Sequence, residues 1–311
     1  MRKKLAQSIL LAIALLLVGV VLYSGKHNFR SISEAGLFDL FYLSLLVVAG
    51  NLLAAEQFYG VYKAAGIKMS RRTNFSIFTV GAFGNLLPGQ VGTFGRLELF
   101  RRRFDLSLAR HTGLLFFLFL ISSVCGLAVS VIILGAQIIF NGLETGVPLL
   151  FIVGLSLACL LTLLQATRRS SRVLQRWPKL LNGQAAFRGL LSQQLLILRL
   201  LLTEIGIILC LTTRFHILLE VFGSSVPLAF LIATSSLARA ATSLAPTPGA
   251  LGIRELVVGL GLSSGGGALT VSVLTGGLDR AIHFAFLILC AGMVAAAQIA
   301  QRLSRREKAR H

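Results

Sequence analysis

Apolar runs long enough to cross a lipid bilayer recur along this chain and constrain its fold more than any other feature. A membrane-spanning helix needs about 20 apolar residues. Six segments approach or exceed this length, namely residues 5–23, 37–62, 112–140, 147–165, 195–219 and 268–300. Because 55% of the 311 residues are hydrophobic and only 13% are charged, a soluble domain is excluded. The sequence predicts an all-α polytopic membrane protein.

The basic residues indicate how these segments are oriented. Lys and Arg number 30 against 11 Asp and Glu, which gives a formal net charge of +19. Most of them lie in five groups, namely residues 1–4, 63–72, 96–110, 168–188 and 301–311. Positive segments flanking membrane spans stay in the cytoplasm, so we expect an inner-membrane protein with both termini cytoplasmic. This distribution favours anionic lipids over nucleic acid as the partners of the positive charge.

The first apolar run, residues 5–23, has two interpretations. It follows the basic residues 1–4 and would serve as a signal peptide, because a charged start precedes a hydrophobic core. The run is long, however, and no small-residue cleavage signature follows it before Lys26. We therefore favour a retained first span.

Two stretches interrupt the apolar pattern in the same way. The first, residues 85–98, reads Asn-Leu-Leu-Pro-Gly-Gln-Val-Gly-Thr-Phe-Gly-Arg-Leu-Glu, and the second, residues 243–255, reads Ser-Leu-Ala-Pro-Thr-Pro-Gly-Ala-Leu-Gly-Ile-Arg-Glu. Proline lacks a backbone donor and glycine permits unusual dihedrals, so neither stretch continues as a helix. The predicted break residues are Pro88, Gly89, Gly92, Pro246, Pro248 and Gly249. A broken backbone at membrane depth is buried in protein or lines a wet cavity, so these breaks predict a site.

The apolar segments that lead into the breaks, residues 75–87 and 228–245, are short. The first would form a helix of about 20 Å, less than the ~30 Å hydrocarbon core. If it enters the membrane and returns without crossing, all five basic groups fall on one side. The sequence therefore predicts six full spans plus two re-entrant segments.

A single shift of 158 residues relates the two halves of the chain. It superimposes Pro88 on Pro246 and Arg96 on Arg254, and it carries residues 112–140 onto 270–298. Because three spans separate equivalent starts, the second copy enters the membrane from the opposite face. This pattern predicts an inverted repeat whose re-entrant segments meet near the midplane, which is typical of transporters.

The repeat defines the expected organisation of residues 1–311 as a single integral membrane domain. Its parts are residues 1–36 (first span and outer loop), 37–140 (repeat 1), 141–194 (linking span and basic cytoplasmic loop), 195–300 (repeat 2) and 301–311 (basic tail).

The two broken motifs resemble the signatures of a known family. They are Leu-Leu-Pro-Gly-Gln-Val-Gly-Thr-Phe-Gly-Arg, residues 86–96, and the more specific Pro-Thr-Pro-Gly-Ala-Leu-Gly-Ile-Arg-Glu, residues 246–255. The family is the transmembrane region of lysylphosphatidylglycerol synthases with its free-standing, flippase-like relatives, and the resemblance covers nearly the whole chain after the first span. It implies a membrane region that flips aminoacylated phosphatidylglycerol between leaflets.

The chain departs from the family pattern in two respects. It holds no soluble aminoacyl-transferase domain, so we expect a free-standing member and do not carry over the synthase activity. The helix after the first motif reads Gly-Leu-Leu-Phe-Phe-Leu at residues 113–118, where the family often has a Glu-Arg pair, whereas the second half keeps Asp279-Arg280. The two halves therefore need not bind charge equally, and the substrate need not be the same lipid.

Arginine is the side chain expected to carry a lipid phosphate across the membrane. An unpaired anion in hydrocarbon is strongly unfavourable, and arginine offers a permanent charge with a forked donor set that matches phosphate. The predicted phosphate-binding residues are Arg96, Arg239, Arg254 and Arg280. The carboxylates Glu98, Glu255 and Asp279 are predicted as their charge partners, or alternatively as contacts for an amine-bearing headgroup.

The terminal charges of the two motifs also have structural interpretations. Arg96 and Glu98 would then cap a segment at the cytoplasmic surface. Arg254 and Glu255, which are adjacent, would form an ion-pair network at the outer surface. Only their positions in the folded chain distinguish these roles from phosphate binding.

Charges within the long apolar runs have similar alternatives. Asp279 and His283 are four residues apart on one helix face, where they would relay protons or bond to another helix. Arg199 and Glu204 are five residues apart and do not share a face. Each is therefore expected to have its partner on another helix.

We predict a lipid translocator with no catalytic residues, no cofactor and no metal site. The sequence has no His-Glu-x-x-His pattern, no Gly-x-Ser-x-Gly elbow and no metal-ligand spacing of cysteines. One alternative is a lipid-modifying transferase that acts through arginines. Another is a non-catalytic partner that recruits a separate lipid synthase through its basic loops. Glycine-rich patches also leave a homo-oligomer open.

Overall fold

The fold is built from long helices joined by short connections. The computed structural model describes residues 36–85, 91–141, 153–154, 156, 189–244 and 252–308, and no strand occurs among them. Eight helices of 12 residues or more follow one another. They are α1 (Leu37–Ala64), α2 (Arg71–Gly84), α3 (Val91–Phe104), α4 (Leu108–Asn141), α5 (Gln194–Val221), α6 (Leu228–Leu244), α7 (Ile253–Ser264) and α8 (Leu269–Lys308). The all-helical prediction is confirmed for this part of the chain.

Four helices are long and apolar enough to cross a membrane. The spanning stretches are Phe38–Ala64, Leu108–Phe140, Gln194–Val221 and Leu269–Val294. They coincide with four of the six predicted spans and support a multi-pass membrane protein. The predicted spans at residues 5–23 and 147–165 and the basic loop at 168–188 lie outside the described residues.

Large apolar side chains cover the outside of these helices. The most exposed, each at least 78% accessible, are Phe38, Ile139, Phe140 and Leu195. Lipid tails are as apolar as these side chains, so exposure to a bilayer carries no penalty. Several charged side chains on the same helices are buried, by contrast, namely Glu204, Arg214, Asp279 and Arg280.

Helices α1 and α5 pack side by side and run in opposite directions. Gln57, near the end of α1, donates from its Nε2 to the carbonyl of Leu200, near the start of α5, at 3.2 Å. Earlier in α1, a Cβ added to Gly50 would lie 3.9 Å from the Cβ of Cys210, which comes later in α5. The C-terminal end of α1 therefore adjoins the N-terminal end of α5.

Helices α2 and α3 form a hairpin whose two ends lie together. The hydroxyl of Tyr62, at the end of α1, lies 2.9 Å from Nδ1 of His111, at the start of α4. The guanidinium of Arg110 donates to the carbonyl of Ala65. Because residues 62–65 precede the hairpin and residues 110–111 follow it, the chain returns to the end from which it left.

Helices α6 and α7 form a second hairpin of the same kind. Val226 precedes α6 and Gly265 follows α7, and a Cβ added to Gly265 would lie 2.7 Å from Cγ1 of Val226. Between these ends the two helices pack closely, since a Cβ on Gly261 would overlap the side chain of Thr234. This hairpin also begins and ends at one end of the molecule.

The residues that join the two helices of each hairpin, 86–90 and 245–251, lie outside the described residues. Five predicted break residues fall there, namely Pro88, Gly89, Pro246, Pro248 and Gly249. The sixth, Gly92, lies within α3 as its second residue and not in the break itself.

The order of helices repeats with the predicted shift. Adding 158 to the bounds of α1 gives 195–222, where α5 occupies 194–221, and adding it to α2 gives 229–242, where α6 occupies 228–244. The same shift carries α4 to 266–299, and α8 begins at residue 269. The repeat of elements is visible in these bounds, while its inverted orientation in a bilayer stays a prediction.

Close packing within the first hairpin requires glycine at residue 92. A Cβ there would overlap the carbonyl oxygen of Gly81 and lie 2.5 Å from the backbone nitrogen of Asn85. The Oδ1 of Asn85 accepts hydrogen bonds from the backbone nitrogen and the Oγ1 of Thr93, at 2.8 and 3.0 Å. The residue that follows α2 thus caps the first turn of α3.

Replacing Gly92 by alanine is expected to destabilise the protein by about 1–3 kcal/mol, because the overlapping atoms belong to the backbone and cannot rotate away. Gly95 in the same helix has nothing within 4 Å of an added Cβ, so Gly95→Ala is the matched control. It should leave stability unchanged or raise it slightly, because alanine is the better helix former. Thermal unfolding in detergent measures both variants. Equal midpoints for the two would contradict this packing.

Candidate functional site

One cavity of about 390 Å³ is lined by most of the buried charged side chains that the structure describes. Its walls come from both hairpins and from α1, α4, α5 and α8. All four arginines predicted from the sequence line it, together with a fifth; they are Arg96, Arg214, Arg239, Arg254 and Arg280. The structure thus brings together residues from both halves of the repeat.

Asp279 of α8 holds two of these arginines. Its side chain is 1% exposed. The Nε of Arg214, on α5, donates to Oδ1 at 2.6 Å, and Arg254, on α7, donates to Oδ2. Both guanidinium groups are themselves buried. A single carboxylate therefore pairs with two arginines and offsets the charge of only one of them.

Glu204 of α5 is fully buried and receives three side-chain donors. The Nε of Arg239 donates to Oε1 at 2.7 Å. Gln57 and Ser122 both donate to Oε2 at 2.8 Å. A buried carboxylate without such donors would be strongly destabilising. The prediction that Glu204 has its partner on another helix is confirmed by these contacts.

Glu255, in the first turn of α7, links that helix to α8. It accepts a hydrogen bond from the buried guanidinium of Arg280 and another from the backbone nitrogen of Gly252 at 2.8 Å. Gly252 has φ +83°, a backbone conformation that glycine adopts without strain. The carboxylate therefore stabilises the start of α7 and neutralises Arg280.

Arg96 of α3 differs from the other arginines of the cavity. It is 8% exposed, its Nε has no hydrogen-bond partner, and no carboxylate of the described residues pairs with it. Its guanidinium carbon lies 5.7 Å from the ring centre of Phe58, and its aliphatic stem packs where a Cβ on Gly81 would stand. A cation–π contact compensates in part for lost hydration, but it supplies no opposite charge.

Glu98 lies outside this cluster, unlike the sequence-based expectation. Its carboxylate pairs with the Nε of Arg101 at 2.9 Å and the Nε of Arg102 at 2.5 Å on the exposed face of α3. These hydrogen bonds hold the pKa of Glu98 below its ordinary value. Two residues along a helix turn through about 200°, so Glu98 points outward when Arg96 points into the cavity.

Sequence reasoning overlooked Arg214, and it did not place Glu204 in the site. Both lie within the apolar run of α5, and ionisable residues in such runs are functional candidates by default. It also overlooked Asn51, whose Nδ2 lies 3.4 Å from Nδ1 of His283 in the same cavity wall. Across the described ranges, no three His, Cys, Asp or Glu side chains converge as metal ligands.

The arrangement is chemically suited to binding an anion. Guanidinium groups outnumber the carboxylates that pair with them, and the capped start of α3 adds Asn85 and Thr93 to the cavity wall. Charge-assisted hydrogen bonds to an anion strengthen where water is scarce. The forked donors of arginine match the geometry of phosphate in particular.

Comparison with known families agrees with the resemblance of the two motifs. The family model described as the lysylphosphatidylglycerol synthase TM region matches residues 8–292 of the 311. This range includes both hairpins and every arginine of the cavity. A comparison with curated proteins gives no match.

Proposed function

The chain belongs to the lysylphosphatidylglycerol synthase TM region family, and we propose that it moves a phosphate-bearing lipid headgroup between leaflets through the arginine-lined cavity. The family supports a lipid-related role in the membrane. The observation that carries the proposal is the convergence of five arginines, contributed by both halves of the chain, on one cavity among membrane-spanning helices.

The placement of the two hairpins supports a path that is reached from both sides. The first hairpin begins beside the C-terminal end of α1, and the second begins beside the C-terminal end of α5. Because α1 and α5 run in opposite directions, the hairpins enter from opposite ends of the molecule. This agrees with the predicted inverted repeat, an arrangement in which substrate binds between the repeats.

The arginines would replace the water that a headgroup loses on entering the membrane. A desolvated phosphate is strongly unfavourable without donors, and guanidinium groups supply charge and directed hydrogen bonds together. Without substrate, Glu204, Glu255 and Asp279 hold their arginines along the cavity wall. The acyl chains remain in the bilayer, beside the apolar outer faces of the helices.

Reconstitution into vesicles tests this function and separates it from its alternatives. The purified chain is placed in vesicles that carry a headgroup-labelled phospholipid, and the label accessible from outside is followed over time. Redistribution without chemical change supports translocation, and a new lipid product supports a transferase. If neither result is seen and a lipid synthase co-purifies with the chain, the chain is a non-catalytic partner of that synthase.

A further inference from the structure

The charges in the cavity do not balance. Two arginines are matched by one carboxylate each, and these pairs are Arg239 with Glu204 and Arg280 with Glu255. Asp279, in contrast, is shared by two arginines. Among the described residues, the remaining cavity arginine has no carboxylate partner at all. Counted over the described residues, two positive charges are therefore in excess.

The two excess charges lie in different halves of the repeat. One is Arg96, which the first hairpin contributes. The other belongs to Arg214 and Arg254, which share Asp279 in the second half. Both places line the same cavity. A ligand that neutralises only one of them would leave a buried guanidinium without an opposite charge, which is costly in a medium of low dielectric constant.

We infer that the headgroup accepted by this cavity carries two negative charges on phosphate, as a phosphomonoester or a diphosphate does. The inference rests on the proposed function, because it names the substrate class of that same site. A phosphomonoester is largely doubly ionised at pH 7, whereas a phosphodiester such as phosphatidylglycerol carries one charge. The three carboxylates that pair with cavity arginines already accept hydrogen bonds from them. Within the described part of the chain, the cavity lining therefore offers an aminoacylated headgroup no uncommitted acid for its ammonium groups.

Binding of matched lipids to the detergent-solubilised chain tests the charge requirement. Phosphatidic acid and phosphatidylglycerol with identical acyl chains are compared by native mass spectrometry and thermal shift at low ionic strength. The extra charge should make phosphatidic acid bind about 10-fold more tightly or better. Equal affinities, or tighter binding of phosphatidylglycerol, would overturn the inference.

Removal of one excess charge should abolish this preference selectively. Arg96→Gln leaves no described carboxylate unpaired, so the protein should fold. It should lose more affinity for phosphatidic acid than for phosphatidylglycerol, and the preference between the two lipids should therefore disappear. Arg214→Gln should do the same, because Arg254 still neutralises Asp279, and it serves if Arg96→Gln folds poorly. The matched control is Arg102→Gln, an exposed residue paired with Glu98, which should keep the preference. A full preference in both cavity variants would refute the assignment.

Transport and soluble probes separate this inference from the proposed function. Faster redistribution of phosphatidic acid than of phosphatidylglycerol in vesicles supports both. A binding preference for phosphatidic acid without redistribution of either lipid supports the charge requirement and contradicts translocation. Faster redistribution of phosphatidylglycerol supports translocation and contradicts the charge requirement. If inorganic pyrophosphate binds more tightly than phosphatidic acid, the charge requirement stands, but the ligand is a free phosphate compound.

Discussion

Replacing Asp279 by asparagine is expected to destabilise the protein by about 3–5 kcal/mol, the usual effect of removing one partner from a buried ion pair. The substitution keeps the size of the side chain and removes its charge. Arg214 and Arg254 would then lie buried together without a carboxylate between them. The repulsion between the two guanidinium groups adds to the loss of attraction. The loss of stability should therefore exceed that from replacing Glu204 or Glu255, which each pair with one arginine.

Thermal unfolding in detergent measures the effect. One further variant serves as a surface control, and a second tests the repulsion between the two arginines. Glu98→Gln removes a carboxylate that pairs with arginines at the exposed surface, where such pairs contribute little, so its midpoint should stay close to that of the parent. Adding Arg214→Gln to Asp279→Asn removes the repulsion and should restore part of the stability. A double variant no more stable than Asp279→Asn would contradict the shared-carboxylate arrangement.

The positions of the long helices could be predicted well because the length of an apolar run determines where a membrane-spanning helix forms. The run at residues 37–62 became α1, which ends at Ala64, and the run at 195–219 became α5, which begins at Gln194. In a bilayer every backbone group must be satisfied within the segment, so a long apolar run has no alternative to a helix. The predicted breaks themselves lie outside the described residues, but α2 ends at Gly84 and α6 ends at Leu244, beside the prolines and glycines that interrupt the apolar pattern.

The arginines of the site could be chosen because a charge in an apolar segment needs a reason to be there. Two of the predicted carboxylate partners, Glu255 and Asp279, do pair with cavity arginines, but which arginine pairs with which carboxylate could not be chosen in the same way. The pairing of Arg214 with Asp279 depends on which faces of α5 and α8 meet, and no spacing along the chain encodes a contact between residues 65 positions apart. For Glu98 the sequence suggested a contact that does not form. It was chosen because it is close to Arg96 in sequence, but it lies on the opposite face of α3 and pairs with Arg101 and Arg102.

Glu204 makes removal of Arg239 differ from removal of Arg254, although the sequence predicts the same phosphate-binding role for both arginines. The structure assigns Arg239 to a carboxylate that is fully buried. Loss of that arginine leaves the acid with only Gln57 and Ser122 as donors, so stability and transport should fall together. Arg254 is free of this complication.

Replacing Arg254 by glutamine is expected to lower the rate of lipid redistribution on the order of 100-fold, because a buried phosphate loses a charge-assisted partner in the cavity. The fold should be retained, since Arg214 continues to neutralise Asp279 at 2.6 Å and the charges around that carboxylate become equal. Arg239→Gln is the matched contrast and should reduce both transport and the thermal midpoint.

The initial rate of label redistribution per reconstituted protein, measured beside the thermal midpoint, distinguishes the two effects. A folded Arg254→Gln variant that transports at the parent rate would exclude Arg254 from the path of the headgroup. The cavity would then be a structural ion-pair network, because Asp279 with Arg214 alone would account for its stability. A slow but stable variant has no such structural explanation, since removing one of two guanidinium groups from a shared carboxylate leaves no buried acid unpaired.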